Sequence, residues 1–124
     1  KKNPIDIISG KKLEKGESGG VTFIGIVGSL LGSLLISLTG YLFDVDIKYL
    51  MIIFLSGFFA SLFDSILGST FQSRFISKNG LIISESYIKN YYLFTGDKRL
   101  SNDAVNFFCT VSSPLFLIII NTIL

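Results

Sequence analysis

Val21–Phe43 reads VTFIGIVGSLLGSLLISLTGYLF, 23 residues without a charge. A helix needs roughly 20 mainly apolar residues to cross the hydrocarbon core of a bilayer, so this stretch is long enough to span. Two more stretches repeat the pattern. Tyr49–Phe71, YLMIIFLSGFFASLFDSILGSTF, has Asp64 as its one charge, and Ala104–Leu124, AVNFFCTVSSPLFLIIINTIL, has none. The composition agrees: mean hydropathy is +0.62, with 49% hydrophobic and only 16% charged residues, against about 25% charged in an ordinary soluble domain. A soluble three-helix bundle would need a charged face on each helix, whereas these stretches offer serine and glycine. The sequence therefore predicts an all-α, multi-pass transmembrane protein with three spans in this chain.

The remaining residues arrange themselves around those spans. Residues 1–20 form a basic, glycine-rich segment, 44–48 a short connection and 72–103 a long one. Ten of the eleven Lys and Arg residues fall in the first segment and the long connection; Lys48 is the exception. The positive-inside rule places those two regions in the cytosol and 44–48 outside. The expected location is thus integral to a membrane: the cell membrane, or an organelle membrane in a eukaryote. Within the long connection, Leu81–Ser84 suggests a short strand or interfacial turn, and Tyr87–Phe94 carries aromatics suited to the headgroup layer. Asn79-Gly80 and Gly96-Asp97 mark turns. The polar N-terminus shows no signal-peptide pattern, and the lack of an initiator Met leaves open whether the chain is a fragment. Cys109 is alone and there is no His, which argues against a disulfide framework or a zinc site.

Small residues recur along the spans. Gly25, Gly28, Ser29, Gly32, Ser33, Ser37 and Gly40 do so in the first, and Gly57, Ser61, Ser65 and Gly68 in the second. Such residues let membrane helices approach closely. Pro114 is a candidate kink in the third.

Three polar groups could carry chemistry. Lys15-Gly16-Glu17-Ser18-Gly19-Gly20-Val21-Thr22 precedes the first span, and its glycines can turn backbone N–H groups towards an anion beside a helix N-terminus. Lys11, Lys12 and Lys15 would add counter-charge, although the P-loop spacing is missing; a glycine hinge is the structural alternative. Asp64 lies inside the second span, where an ionisable group needs a cavity, a partner or a cation; a buried polar helix contact is its alternative. Asn102, Asp103 and Asn106 open the third span. Ser101 or Asn102 can cap that helix and Asp103 suits its first turn, but capping does not explain Asn106. All three groups fall at the same membrane face.

KLEKGESGGVTFIGIVGSLLGS, GFFASLFDSILGSTFQ and LSNDAVNFFCT, in this order, resemble the transmembrane protein 19 family of integral membrane proteins. Gly19–Thr22, Asp64–Gln72 and Asn102–Phe107 carry the resemblance. It covers what corresponds to the C-terminal half of the family; the upstream acidic motif has no counterpart here, Ser69 replaces a usual alanine and Phe71 a usual leucine. The family includes a plastid phytyl-phosphate kinase. The resemblance thus implies a lipid chain between the spans, with phosphates at the cytosolic loop held by Lys15, Gly16, Gly19 and Gly20. Asp64 and Asp103 would hold Mg²⁺. Asn102 and Asn106 would orient nucleotide or phosphate, and Asp64 and Asn106 would form the catalytic pair. A nucleoside triphosphate is the implied co-substrate.

The partners expected are a membrane lipid or isoprenoid phosphate, with the missing N-terminal half or a second copy completing the protein; no nucleic acid is expected. The competing readings are a non-enzymatic membrane component or lipid-binding protein, and a transporter. A transporter would show broken spans or polar residues near the midplane, whereas here they gather near one face.

Overall fold

The computed structural model describes residues 3–80 and 83–123, with the backbone alone at Ile83. Leu81 and Ile82 of the expected strand or turn, together with Lys1, Lys2 and Leu124, lie outside the described residues. The elements run β1 (Ile5–Asp6), β2 (Gly20–Val21), α1 (Phe23–Tyr41), α2 (Ile47–Thr70), β3 (Arg74–Ser77), β4 (Ile83–Ser84), β5 (Tyr91–Thr95) and α3 (Asn102–Ile123). Each of the three helices is long and apolar enough to cross a membrane, as the apolar runs predict. Only 11%, 22% and 11% of their most apolar windows are buried within the chain, so most of their apolar surface is left for lipid or for further helices.

Two compact units divide the chain. The first contains Thr22–Phe63 and the region from Cys109 onward. Here Thr22, in extended conformation, caps α1 by accepting the Gly25 N–H at 3.0 Å. This cap suits the abrupt change from loop to helix. The turn after α1 passes through Asp44 at φ 56°, and the Asp46 carbonyl then accepts the N–H groups of Tyr49 and Leu50 to start α2. The helices pack through small side chains. A Cβ on Gly57 would stand 3.1 Å from the Ser33 Cβ, and Ser37 Oγ donates to the Leu50 carbonyl at 2.6 Å. A Cβ added at Gly28 or Gly32 would meet no neighbouring group within 4 Å among the described residues, so only part of the small-residue pattern is used for contacts inside the chain. Cys109 Sγ donates to the Ala60 carbonyl at 3.3 Å, and the Phe63 and Phe116 rings meet edge to face at 5.9 Å. Pro114 sits within α3, which is helical on both sides of it.

The second unit contains the first 21 residues and Asp64–Phe108. In it β1 and β2 pair antiparallel, Ile5 with Val21 and Asp6 with Gly20. The connection after α2 is not a plain loop. β3 is the centre of a three-stranded antiparallel sheet in the order β4-β3-β5. Phe75 is its buried centre, with the Tyr87 ring edge-on at 5.6 Å. The sheet is fastened at its base to the end of α2. The Asp97 N–H donates to the Phe71 carbonyl at 2.9 Å, and the Ser73 N–H to the Leu100 carbonyl at 2.8 Å. Gly96 has φ +80°, and any side chain there would collide with the Gln72 carbonyl. The expected Gly96-Asp97 turn is therefore present, and the glycine is dictated by close backbone approach.

Candidate functional site

The candidate site residues Lys15, Gly16, Gly19, Gly20, Asp64, Asn102, Asp103 and Asn106 all fall in the second unit. Its organising group is one that the sequence reading passed over, the carboxylate of Asp6. Asp6 is buried. Its Oδ1 accepts from the Ser9 N–H at 2.6 Å, the Ile8 N–H at 3.1 Å and the Ser9 hydroxyl at 2.9 Å. Its Oδ2 accepts from the Ser69 hydroxyl at 2.7 Å, at the end of α2. The Ser9 backbone N–H is the main force holding its pKa down to about 2; burial opposes it, and the hydroxyls of Ser69 and Ser9 and the Ile8 N–H assist. Asp6 is thus an ionised anchor that closes a tight turn and ties the N-terminal segment to α2.

The glycine-rich segment lies on the same helix end. Gly19 is buried, and at φ +80° a Cβ on it would stand 2.5 Å from the Ser69 Cα and N. A Cβ on Gly68 would stand 2.8 Å from the Gly19 N. The two glycines bring backbone against backbone, as only residues without side chains allow. Around them, the Ser18 N–H donates to Glu85 Oε1 at 2.7 Å, the Arg74 guanidinium donates to the Ser18 carbonyl, and Arg74 pairs with Glu17 at 4.0 Å. The expected phosphate cradle therefore divides in two. Gly19 and Gly20 are packed against neighbours, whereas Lys15 and Gly16 stand in an exposed turn, Gly16 at φ +93° with open space around it. Lys11 and Lys12 are exposed as well, so the accessible part is a cationic turn beside a locked loop.

Asp64 opens this unit's part of α2, one helical turn before Gly68 and two before Gln72. It is half-buried and engaged in a polar interaction, and its Oδ1 is out of reach of solvent. Gln72 is 3% exposed, and its Nε2 has no hydrogen-bond partner among the described residues. Ser101, not Asn102, caps α3: its hydroxyl accepts the Ala104 N–H at 3.3 Å. Asn102, Asp103 and Asn106 are exposed on the first turns of that helix, and Asn106 is engaged in an interaction of its own. Among the described residues no three Asp, Glu, Cys or His side chains converge to hold a metal. Mg²⁺ is commonly held by only one or two carboxylates, with phosphate oxygens and water completing the shell. Asp64 and Asp103 fit that sparse mode in donor chemistry, and a closed protein cage is not what they offer.

The family model described as Integral membrane protein DUF92 matches residues 1–113. The chain belongs to the DUF92 family. An uncharacterized membrane protein of Methanocaldococcus jannaschii is 37% identical over 67 residues, covering 54% of this chain and 28% of that protein. Protein PGR of Arabidopsis thaliana is 34% identical over 119 residues, covering 84% of this chain and 40% of that protein. The chain thus spans less than half the length of these two curated relatives. No solved structure matches it. The DUF92 match takes in both the N-terminal anchor and the α2 end on which it rests.

Asp6, Ser69, Arg74 and Glu85 were missed because each resembles an ordinary surface polar residue until its distant partner is known. Ser69 gave one signal, as the departure from a usual alanine, and its hydroxyl is the one that reaches Asp6. The anchor has a pH signature. The folded pKa of about 2 lies below the ordinary 3.8, so the stabilisation is complete above the ordinary value and is lost as pH falls from about 4 to about 2. Asp6→Asn is expected to lower stability at neutral pH by roughly 1 kcal/mol, the pKa shift being discounted for solvent screening, and to flatten the pH dependence in that window. Thermal unfolding of both forms in detergent at several pH values checks this. Parallel curves for both forms would refute it.

Proposed function

We propose that this DUF92 chain is a membrane-embedded part of a protein that binds a prenyl-type lipid monophosphate and transfers a phosphoryl group to it from a nucleoside triphosphate. The observation that carries this reading is the gathering of all the candidate polar residues in one compact unit, while the other unit is almost entirely apolar helix. Such a unit suits an anionic head group. The ten-to-one distribution of basic residues supports a cytosolic position for the head.

In this reading Lys11, Lys12, Lys15 and the Gly16 turn meet phosphate from the exposed side. Asn102 and Asn106 orient nucleotide or phosphate. Asp64 and Asp103 would hold Mg²⁺, which when bound neutralises phosphate charge. A phosphate oxygen of the lipid attacks the γ-phosphorus, the bond to the β,γ-bridging oxygen breaks, and nucleoside diphosphate leaves. Such a transfer depends on alignment and charge neutralisation more than on a covalent nucleophile, which suits a chain with no His and one Cys. A second reading, a lipid-phosphate-binding membrane component without chemistry, is favoured by one observation. Gly19 and Gly68 are accounted for by packing alone.

The test is transfer of labelled γ-phosphate from ATP to geranylgeranyl or phytyl monophosphate by the full-length protein in vesicles. The reading predicts Mg²⁺-dependent formation of the prenyl diphosphate. It also predicts no transfer by the 124-residue chain alone, in which the upstream acidic motif of the family has no counterpart. Binding of the monophosphates by the full-length protein without any transfer would establish the second reading.

A further inference from the structure

The sheet carries a surface that the site does not use. Among the described residues β5 is an edge strand, paired with β3 on one side only. An ordinary edge strand hides one face and blunts the other with charge. β5 does neither: Tyr92, Leu93 and Phe94 are 59%, 45% and 54% exposed. The register explains Phe94. Thr95 stands opposite Arg74 and Leu93 opposite Phe75, so Phe94 is the extra residue of a bulge, a feature that re-aims a side chain. Tyr87 and Ile88, just before the strand, are also exposed.

Cations frame this apolar surface. Lys78, Lys89, Lys98 and Arg99 are all exposed, against exposed Asp97, while Glu85 is occupied by the Ser18 N–H. The Lys98 ammonium lies 5.8 Å from the Tyr87 ring centre, so charge and aromatic surface are adjacent. The surface is also attached to the end of α2. β3 starts four residues after α2 ends, and two backbone hydrogen bonds, Asp97 to Phe71 and Ser73 to Leu100, fasten the base of the sheet to that helix end. At about 3.3 Å per residue, Phe94 and Leu93 stand about 10–13 Å along the strand from the Asp97 N–H that is bonded at that helix end.

We infer that the β5 edge, with Tyr87, Tyr92, Leu93 and Phe94 framed by Lys89, Lys98 and Arg99, is a docking surface for anionic phospholipid. The aromatic side chains enter the boundary between headgroups and acyl chains, where such rings are favoured, and the cations hold the phosphates of neighbouring lipids. This surface is separate from the proposed phosphoryl-transfer site and does not depend on that reading.

The chain has no tryptophan, so Tyr92→Trp and Phe94→Trp each introduce a single fluorophore at an exposed position that tolerates the change. Each variant is reconstituted in vesicles of brominated phosphatidylcholine or brominated phosphatidylserine, with Leu35→Trp in α1 as a control for insertion. The expected result is blue-shifted emission at both positions, quenched more by bromine near the headgroup than deep in the chain. Brominated phosphatidylserine should quench with an apparent preference of roughly fivefold or more, the effect of one cation near an anionic surface. Lys89→Gln, Lys98→Gln and Arg99→Gln combined should bring the preference to near unity without reducing quenching of the Leu35→Trp control. Water-like emission and no lipid quenching at both strand positions, with the control quenched, would overturn the inference. A blue shift that depends on protein concentration but not on brominated lipid would overturn it too, by showing that the edge pairs with a second copy. Equal quenching by both lipids would refute the anionic preference.

Discussion

Gly19→Ala is expected to destabilise the polar unit by about 3 kcal/mol or more. Two costs combine. The left-handed conformation at φ +80° costs an L-residue roughly 1–2 kcal/mol. The added Cβ would also stand 2.5 Å from two backbone atoms of Ser69, and overpacking of this kind typically costs about 1–3 kcal/mol. Backbone cannot swing aside as the tip of a side chain can, so relief requires the whole loop to lift from α2. Gly16→Ala is the internal control. Gly16 has φ +93° but open space around it, so only the conformational cost of about 1–2 kcal/mol applies. Thermal unfolding in detergent, with protease sensitivity of the N-terminal segment, separates the two. Equal, mild effects would mean that Gly19 is not pressed against the helix. A loss of phosphate affinity in Gly19→Ala with unchanged stability would favour the cradle that the sequence suggests.

That contrast shows where sequence was sufficient. The spans were legible because their signal is local: runs of bilayer length with at most one charge. The helices Phe23–Tyr41, Ile47–Thr70 and Asn102–Ile123 lie within two residues of the expected limits at each end. The sheet after α2 was mostly invisible. Arg74–Ser77 is only four residues long, and its partner Tyr91–Thr95 is separated from it by more than a dozen residues; such short runs declare themselves only when paired. Of the expected Leu81–Ser84 element, Ile83–Ser84 is a strand. The site was legible as a set of residues and much less as a geometry. Glycines at 19 and 68 signal either anion binding or close packing, and nothing in the sequence chooses between them. The contact of Asp6 with Ser69 spans 63 positions and could not be read from either residue.

Asp64→Asn is the second large effect. Asparagine keeps the shape and an acceptor oxygen but removes the negative charge. If Asp64 contributes to a Mg²⁺–phosphate site, the substitution should leave insertion intact. It should lower affinity for a prenyl monophosphate at fixed Mg²⁺ at least tenfold, about 1.4 kcal/mol. The transfer rate should fall by about a hundredfold or more, the scale seen when one stabilising group is removed from a charged transition state. If Asp64 serves only as a polar contact within the protein, the cost falls on stability instead, because removing charge from a buried interaction weakens the fold wherever the partner is left poorly matched. The two roles thus move different observables.

The measurement that bears most directly on a lipid-phosphate site in the polar unit is geranylgeranyl monophosphate affinity across a Mg²⁺ titration. It compares full-length wild type with Asp64→Asn, with thermal unfolding of both alongside. The proposed function predicts tight, Mg²⁺-dependent binding by the wild type, a curve for Asp64→Asn displaced at least tenfold and partly restored by excess Mg²⁺, and similar unfolding temperatures. Identical affinity and Mg²⁺ dependence in the two proteins would contradict it.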